Sequence, residues 1–179
     1  MDTATKTLWK IDPTHSEIQF KVKHLVISTV TGSFKSFEGA IETEGDTFEN
    51  ADASFSADID SITTNNEDRD NHLKSDDFFN AETYPQLTFT SNSFEKLDDD
   101  TYSVTGDLTI RDVTKEVKLD VIHGGTVEDP YGNTKAGFEI TGSINRKEFG
   151  LTWSAVTEAG NVVVGDVIKL HLNVQLVQS

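Results

Sequence analysis

The sequence predicts an all-β protein: one antiparallel sheet of about eight strands, closed into a barrel, with a short helical crossover near residues 66–80. Three observations carry that expectation. Apolar and polar residues alternate in twos over most of the chain, the period of half-buried strands. Polar turns separate the alternating runs, and no amphipathic stretch is longer than two or three helical turns. Closure follows because a long exposed edge invites pairing with other chains. No fixed-period repeat or linker divides the chain, so residues 1–179 are read as one domain.

The elements follow in order. Leu8, Trp9 and Ile11 begin an extended piece that Pro13 interrupts. Ile18, Phe20, Val22 and His24 alternate with charged or polar neighbours, which places His24 on the inward face. Leu25–Val30 reads as a helical turn or as continued strand. Gly32–Glu44 reads as the next strand, with Phe34 and Phe37 out of phase, so a bulge near Ser36 is expected to restore the period. Ala53, Phe55, Ala57 and Ile59 form a third apolar face. Leu87 and Phe89 resume the alternation after the crossover, and Asp98–Asp100 make a charged turn. Tyr102 to Ile110, Val117 to Val121, Ala136 to Ile144 and Ile168 to Leu176 supply the remaining strands, with a strong turn signal at Glu128–Asn133.

The stretch Arg69–Pro85 abandons the period. It gathers Arg69, His72, Asp70, Asp76, Asp77, Phe78, Phe79, Tyr84 and Pro85. Asn65 or Asn66 is placed to cap a short helix through Leu73, with Glu67 and Asp68 in its first turn.

Bulk properties narrow the function. A formal charge of -16, from 15 basic and 31 acidic residues, argues against nucleic acid and against adsorption to an anionic membrane. No segment has the length and apolarity of a membrane span. With no cysteine, thiol chemistry and Cys-type zinc sites are excluded. The first nine residues hold no apolar run of the signal-peptide kind, which points to the cytoplasm. A leader trimmed away would make the periplasm the expected place instead.

The inward faces mix large and small side chains. Gly39, Ala53, Ala57, Gly106, Ala136 and Gly142 sit among Phe20, Phe34, Phe55, Phe89 and Phe138. An eight-strand lumen is just wide enough to be filled by side chains or to hold one slim ligand. The small residues either leave an apolar channel or fit the taper of a packed barrel. Strands of about ten residues span on the order of 33 Å, so a channel would suit a long, thin molecule.

Several motifs resemble those of the YceI-like family. They are Trp9-x-Ile11-Asp12-x-x-His15-Ser16, Phe20-x-Val22-x-His24 and Gly32-x-Phe34. Next come Arg69-Asp70-x-His72-Leu73, Asp77-Phe78-Phe79 and Tyr84-Pro85. Gly106 to Thr114 and Asn145-Arg146-x-x-Phe149-Gly150-x-x-Trp153 follow in the same order. The resemblance implies a lipocalin-like barrel holding a polyisoprenoid lipid, such as an isoprenoid quinone or prenyl phosphate, often as a homodimer. It also implies export to the periplasm for many members.

The candidate ligand-binding residues are Asp12, His15, Phe20, His24, Phe34, Phe55, Arg69, His72, Leu73, Phe79, Phe89, Phe138 and Trp153. Arg69 and His72, three apart on a helix, either clamp a head group, or Arg69 pairs with Asp70, Asp76 or Asp77 and pins the crossover. Asp12 with His15 is a ligand contact or, more simply, a stabilised turn. His24 is a satisfied core residue or a donor to a quinone oxygen. Arg111 and Arg146 follow strands and read as turn or ion-pair residues. The histidines lack metal-ligand spacing, and no cofactor is implied. Non-catalytic binding, storage or transport of a lipid is the favoured function. The alternative is an enzyme on such a lipid, with Asp12–His15 or His72 as acid–base groups.

Overall fold

The computed structural model describes residues 6–24, 27–44, 47–151 and 164–178. Among the described residues, eleven strands lie in one antiparallel sheet. They are β1 (Lys6–Ile11), β2 (Glu17–His24), β3 (Ser28–Phe34), β4 (Phe37–Glu44), β5 (Asp52–Asp58), β6 (Ile62–Thr63), β7 (Gln86–Lys96), β8 (Thr101–Ile110), β9 (Val113–Glu128), β10 (Thr134–Asn145) and β11 (Val164–Gln178). The single α-helix among the described residues, α1, spans Glu67–Lys74. β11 pairs with both β1 and β2, which closes the ring.

Three pairs of strands are single staves broken in the middle. β1 and β2 both lie along β11, β3 and β4 lie along β2 and β1, and β5 and β6 lie along β4 and β3. Counted as staves, the barrel has eight, each beside its neighbour in sequence. The breaks fall at one level. Asp12–Ser16 turns between β1 and β2, Lys35–Ser36 between β3 and β4, and Ile59–Ser61 between β5 and β6. Across this crease the backbone finds other partners: Asp12 N donates to Gln175 O at 2.8 Å, Asp58 N to Ser36 O at 2.9 Å, and Lys35 N to Ser61 O at 3.2 Å. The expected bulge near Ser36 is therefore a full strand break. Phe34 and Phe37 are out of phase because they belong to different ladders, with Phe34 paired to Ile18 and Phe37 to Ala57. Ser28–Val30 is strand, while Leu25 and Val26 lie outside the described residues.

The expected turns carry the side-chain bonds their sequences suggest. Asp98 Oδ1 accepts from the backbone N–H of Asp100 and Thr101, and Asp129 Oδ1 from those of Tyr131 and Asn133. Among the described residues, no helix is long and apolar enough to cross a membrane.

One end of the barrel is solid. The β4–β5 connection sends Phe48 inward, where its ring lies 5.2 Å from that of Trp9, 5.4 Å from His123 and 4.9 Å from Phe138. Phe94 and Tyr102 pack edge to face beside it, 5.3 Å apart. The inward glycines do not leave voids at the wall. A Cβ on Gly32 would fall 2.2 Å from Phe20 Cζ, on Gly106 2.5 Å from Phe89 Cζ, on Gly39 2.5 Å from Ile11 Cδ1, and on Gly142 2.7 Å from Leu119 Cδ2. In each case a large neighbour lies down over the glycine.

Two of these sites should respond differently to one methyl group. At Gly32 the obstacle is the movable ring of Phe20, whereas at Gly106 the backbone oxygen of Thr90 also stands 2.5 Å away. Gly106→Ala should cost about 1–3 kcal/mol in urea unfolding, and Gly32→Ala distinctly less. Equal losses would show that the ring over Gly32 is as immovable as the backbone.

Candidate functional site

The site is the lumen between the solid end and α1. It has a volume of about 350 Å³, and its wall is almost entirely apolar, within the range of small-molecule sites. Its apolar walls include Phe55, Phe89, Ile140, Ile168, Leu170 and Leu172. These residues are only half-buried although they point inward, because they face open space rather than one another.

α1 exists for reasons that lie at its ends. Its eight residues bury none of their side chains fully, and a helix this short is marginal in water. Asn66 Oδ1 accepts from Arg69 N at 3.0 Å as N-cap, and the acidic residues Glu67, Asp68 and Asp70 occupy the first turn. Asp70 Oδ1 accepts from both the backbone N–H and the hydroxyl of Thr64, at 2.7 and 2.6 Å. Arg69 donates Nε to Thr64 Oγ1 at 2.8 Å and Nη2 to Thr64 O at 2.9 Å.

The segment after α1, which leads into β7, is held from the neighbouring β8–β9 turn. Arg111, in the β8–β9 turn, donates to Asp76 Oδ1 at 2.9 Å, to Asp76 O at 3.1 Å and to Phe78 O at 3.2 Å. Its guanidinium also lies 5.7 Å from the centre of the Tyr84 ring. Asp77 Oδ2 lies 2.9 Å from His72 Nε2. The expectation that Arg69 pairs with Asp70, Asp76 or Asp77 is thus corrected. Asp70 is spent on Thr64, Asp76 on Arg111 and Asp77 on His72.

Most of the candidate residues come together. Phe20, Phe34, Phe55, Arg69, His72, Leu73, Phe79, Phe89 and Phe138 all line the lumen. Phe34 links Phe20 and Phe79, with ring centres 5.7 and 6.3 Å away. Asp12 and His15 are not among the lining residues. They form the turn at the crease, where Asp12 accepts from the Thr14 hydroxyl at 2.6 Å and lies 2.8 Å from His15 Nδ1. The His24 side chain and Trp153 lie outside the described residues.

Sequence reasoning passed over two residues of consequence. Phe48 sits between Thr47 and Glu49 in a polar stretch without strand alternation, so no pattern marks it. Arg146 is the turn and ion-pair residue the sequence suggested, but it is also 1 % exposed and borders the lumen. It donates to the carbonyls of Gly165 at 2.8 Å and Leu151 at 2.6 Å, with Asp166 at 3.7 Å. Burial pushes its guanidinium below the ordinary value, opposed by the Asp166 charge.

The YceI-like domain profile matches residues 9–176. The chain belongs to the YceI-like family. A UPF0312 protein of Staphylococcus aureus is 36% identical over 170 residues, covering 94% of this chain and 96% of its own. BcnA of Burkholderia cenocepacia shares the fold, with a TM-score of 0.80, 21% identity, and coverage of 92% of this chain and 98% of BcnA. A polyisoprenoid-binding domain from Saccharophagus degradans, implicated in plant cell wall breakdown, superposes with a TM-score of 0.67 at 17% identity, covering 94% of this YceI-like chain and 97% of its own.

Two tests address this geometry. Arg111→Ala removes the tether from the β8–β9 turn and should lower stability by about 1–3 kcal/mol, with faster amide exchange in residues 75–84. Unchanged exchange there would deny Arg111 its anchoring role. The second concerns pH. Hydrogen bonds from the Thr14 hydroxyl and then His15 pull the Asp12 carboxyl down from 3.8 to about 2. The ionised form is the one the turn holds. Its contribution is present above the ordinary value and lost as the pH falls towards about 2. The stability difference between wild type and Asp12→Asn should therefore shrink on acidification below pH 3.8. A difference constant with pH would contradict the bonding described.

Proposed function

We propose that this barrel binds, stores or carries a long-chain polyisoprenoid lipid, such as an isoprenoid quinone or a prenyl phosphate, without chemically altering it. The observation that carries the reading is the apolar lumen of about 350 Å³, solid at the Phe48 end and bordered by polar groups at the α1 end. An apolar chain lies among Phe20, Phe55, Phe89 and Leu170, and a neutral head group such as a quinone lies toward Arg69 and His72. The polyisoprenoid-binding domain of Saccharophagus degradans, which shares the fold, supports the ligand class.

The energetics fit a carrier. Each buried methylene contributes about 0.8 kcal/mol, so a chain of a few tens of carbons reaches the practical affinity ceiling of about 20 kcal/mol unless ordering and imperfect fit oppose it. Discrimination between neighbouring lengths is weak, because one methylene changes binding by only about 1–3 kcal/mol. The polar groups at the α1 end hold one another, Arg69 on Thr64 and His72 beside Asp77, which suits positioning rather than turnover.

Protein stripped of lipid should take up an isoprenoid quinone, measured by mass spectrometry after denaturation. Ile140→Trp, which fills the lumen, should reduce that uptake at least tenfold while circular dichroism stays that of the barrel. Full uptake by the filled variant would sink the lumen reading. Turnover of a prenyl phosphate that vanishes in His72→Ala, with binding kept, would favour an enzyme instead.

A further inference from the structure

The barrel wall has a weak seam between β9 and β10, at the α1 end but several staves round from the helix. The paired residues of β9 and β10 run from Glu128↔Thr134 to Asp120↔Thr141 and stop there. β9 continues along β8 as far as Val113↔Ile110, and β10 along β11 as far as Asn145↔Val167. Over this last part no residue pairing joins the two strands among the described residues. Side chains close the gap: Leu119 lies across Gly142, and Phe149, 1 % exposed, is inserted beyond it.

A groove runs along the outside of the seam. Val117, Ile144 and Leu170 border both this groove and the lumen. A single layer of apolar side chains separates the two.

The groove is unlike the rest of the surface in charge. Lys21, Lys115, Lys118, Lys169 and His171 line it, against Glu116, Asp120 and Glu148. Four lysines to three carboxylates contrasts with 15 cations to 31 anions in the whole chain. Lys6, Lys135 and Lys147 each have a carboxylate within 3.3 Å. Among the described residues the four groove lysines have none within ion-pairing distance. His171 lies 3.5 Å from Glu139.

We propose that this groove is a second ligand subsite, which takes the anionic head of an amphiphile whose chain passes through the β9–β10 seam into the lumen. The proposal rests on the lumen reading above and adds where an anionic head sits. Unpaired ammonium groups attract a phosphate or carboxylate as point charges. No strand-to-strand ladder has to break for an apolar chain to displace Leu119 or Phe149. A neutral head gains nothing from the lysines and stays with Arg69 and His72.

The test compares a prenyl monophosphate with the prenyl alcohol of the same chain, on wild type and on the Lys21→Gln, Lys115→Gln, Lys118→Gln, Lys169→Gln variant. Wild type should hold the phosphate at least tenfold more tightly at low salt. The variant should lose that preference and keep its affinity for the alcohol. Retention of the preference overturns the proposal, as does its loss in Arg69→Gln, His72→Gln instead. A prenyl phosphate with a photoreactive group beside the phosphate should label residues 115–120 or 141–148. Labelling of Glu67–Lys74 overturns the assignment. If wild type binds neither lipid, the lumen reading fails first and this proposal with it. If it binds both without preference, only this proposal fails.

Discussion

A cross-strand partnership between glycine and a large apolar side chain decides whether this barrel is solid or hollow. Phe20 lies over Gly32, Phe89 over Gly106, Ile11 over Gly39 and Leu119 over Gly142. With a Cβ at those glycines, the large side chains would have to stand up into the lumen. In an eight-stave barrel the interior is only wide enough for side chains or one slim ligand, so four standing side chains would fill it. The closed ladder satisfies the backbone, and the glycines leave the centre open. At the far end the same type of residue is used differently: Trp9, Phe48 and Phe138 face one another and pack.

The α1 end follows a separate logic. The helix is too short and too polar to hold itself in place. Its position comes from Thr64, which engages both Asp70 and Arg69, and from Arg111 in the β8–β9 turn, which holds the segment after it. Polar side chains therefore locate an element that hydrophobic burial alone would leave loose. Arg146 does comparable work elsewhere on the same rim, tying the residues after β10 to the start of β11.

Much of this was legible in the sequence, for physical reasons. Period-2 alternation follows from one wet face and one dry face, so the staves and their inward residues could be read directly. Asn66 and the acids after it announced the helix start. Phe34 and Phe37 signalled an interruption but not its kind, because a bulge and a strand break shift the phase alike. Arg111 gave no hint of its partners, since 35 residues separate it from Asp76 and pattern carries no long-range pairing. Asp70, Asp76 and Asp77 all looked available to Arg69, and the competing bonds that claim each one exist only in three dimensions. The groove lysines were invisible for the same reason: Lys21, Lys115, Lys118 and Lys169 come from three strands.

The packed cluster around Phe48 turns the barrel into a tube with a floor. Any chain pushed to the bottom stops at the same depth, whatever its length. The wall then acts as a gauge: a molecule longer than the tube shows its surplus outside, and a shorter one sinks its head below the rim. Under the proposed function, a chain inserted tail first would show its head at the rim and leave in the reverse of the order in which its atoms went in.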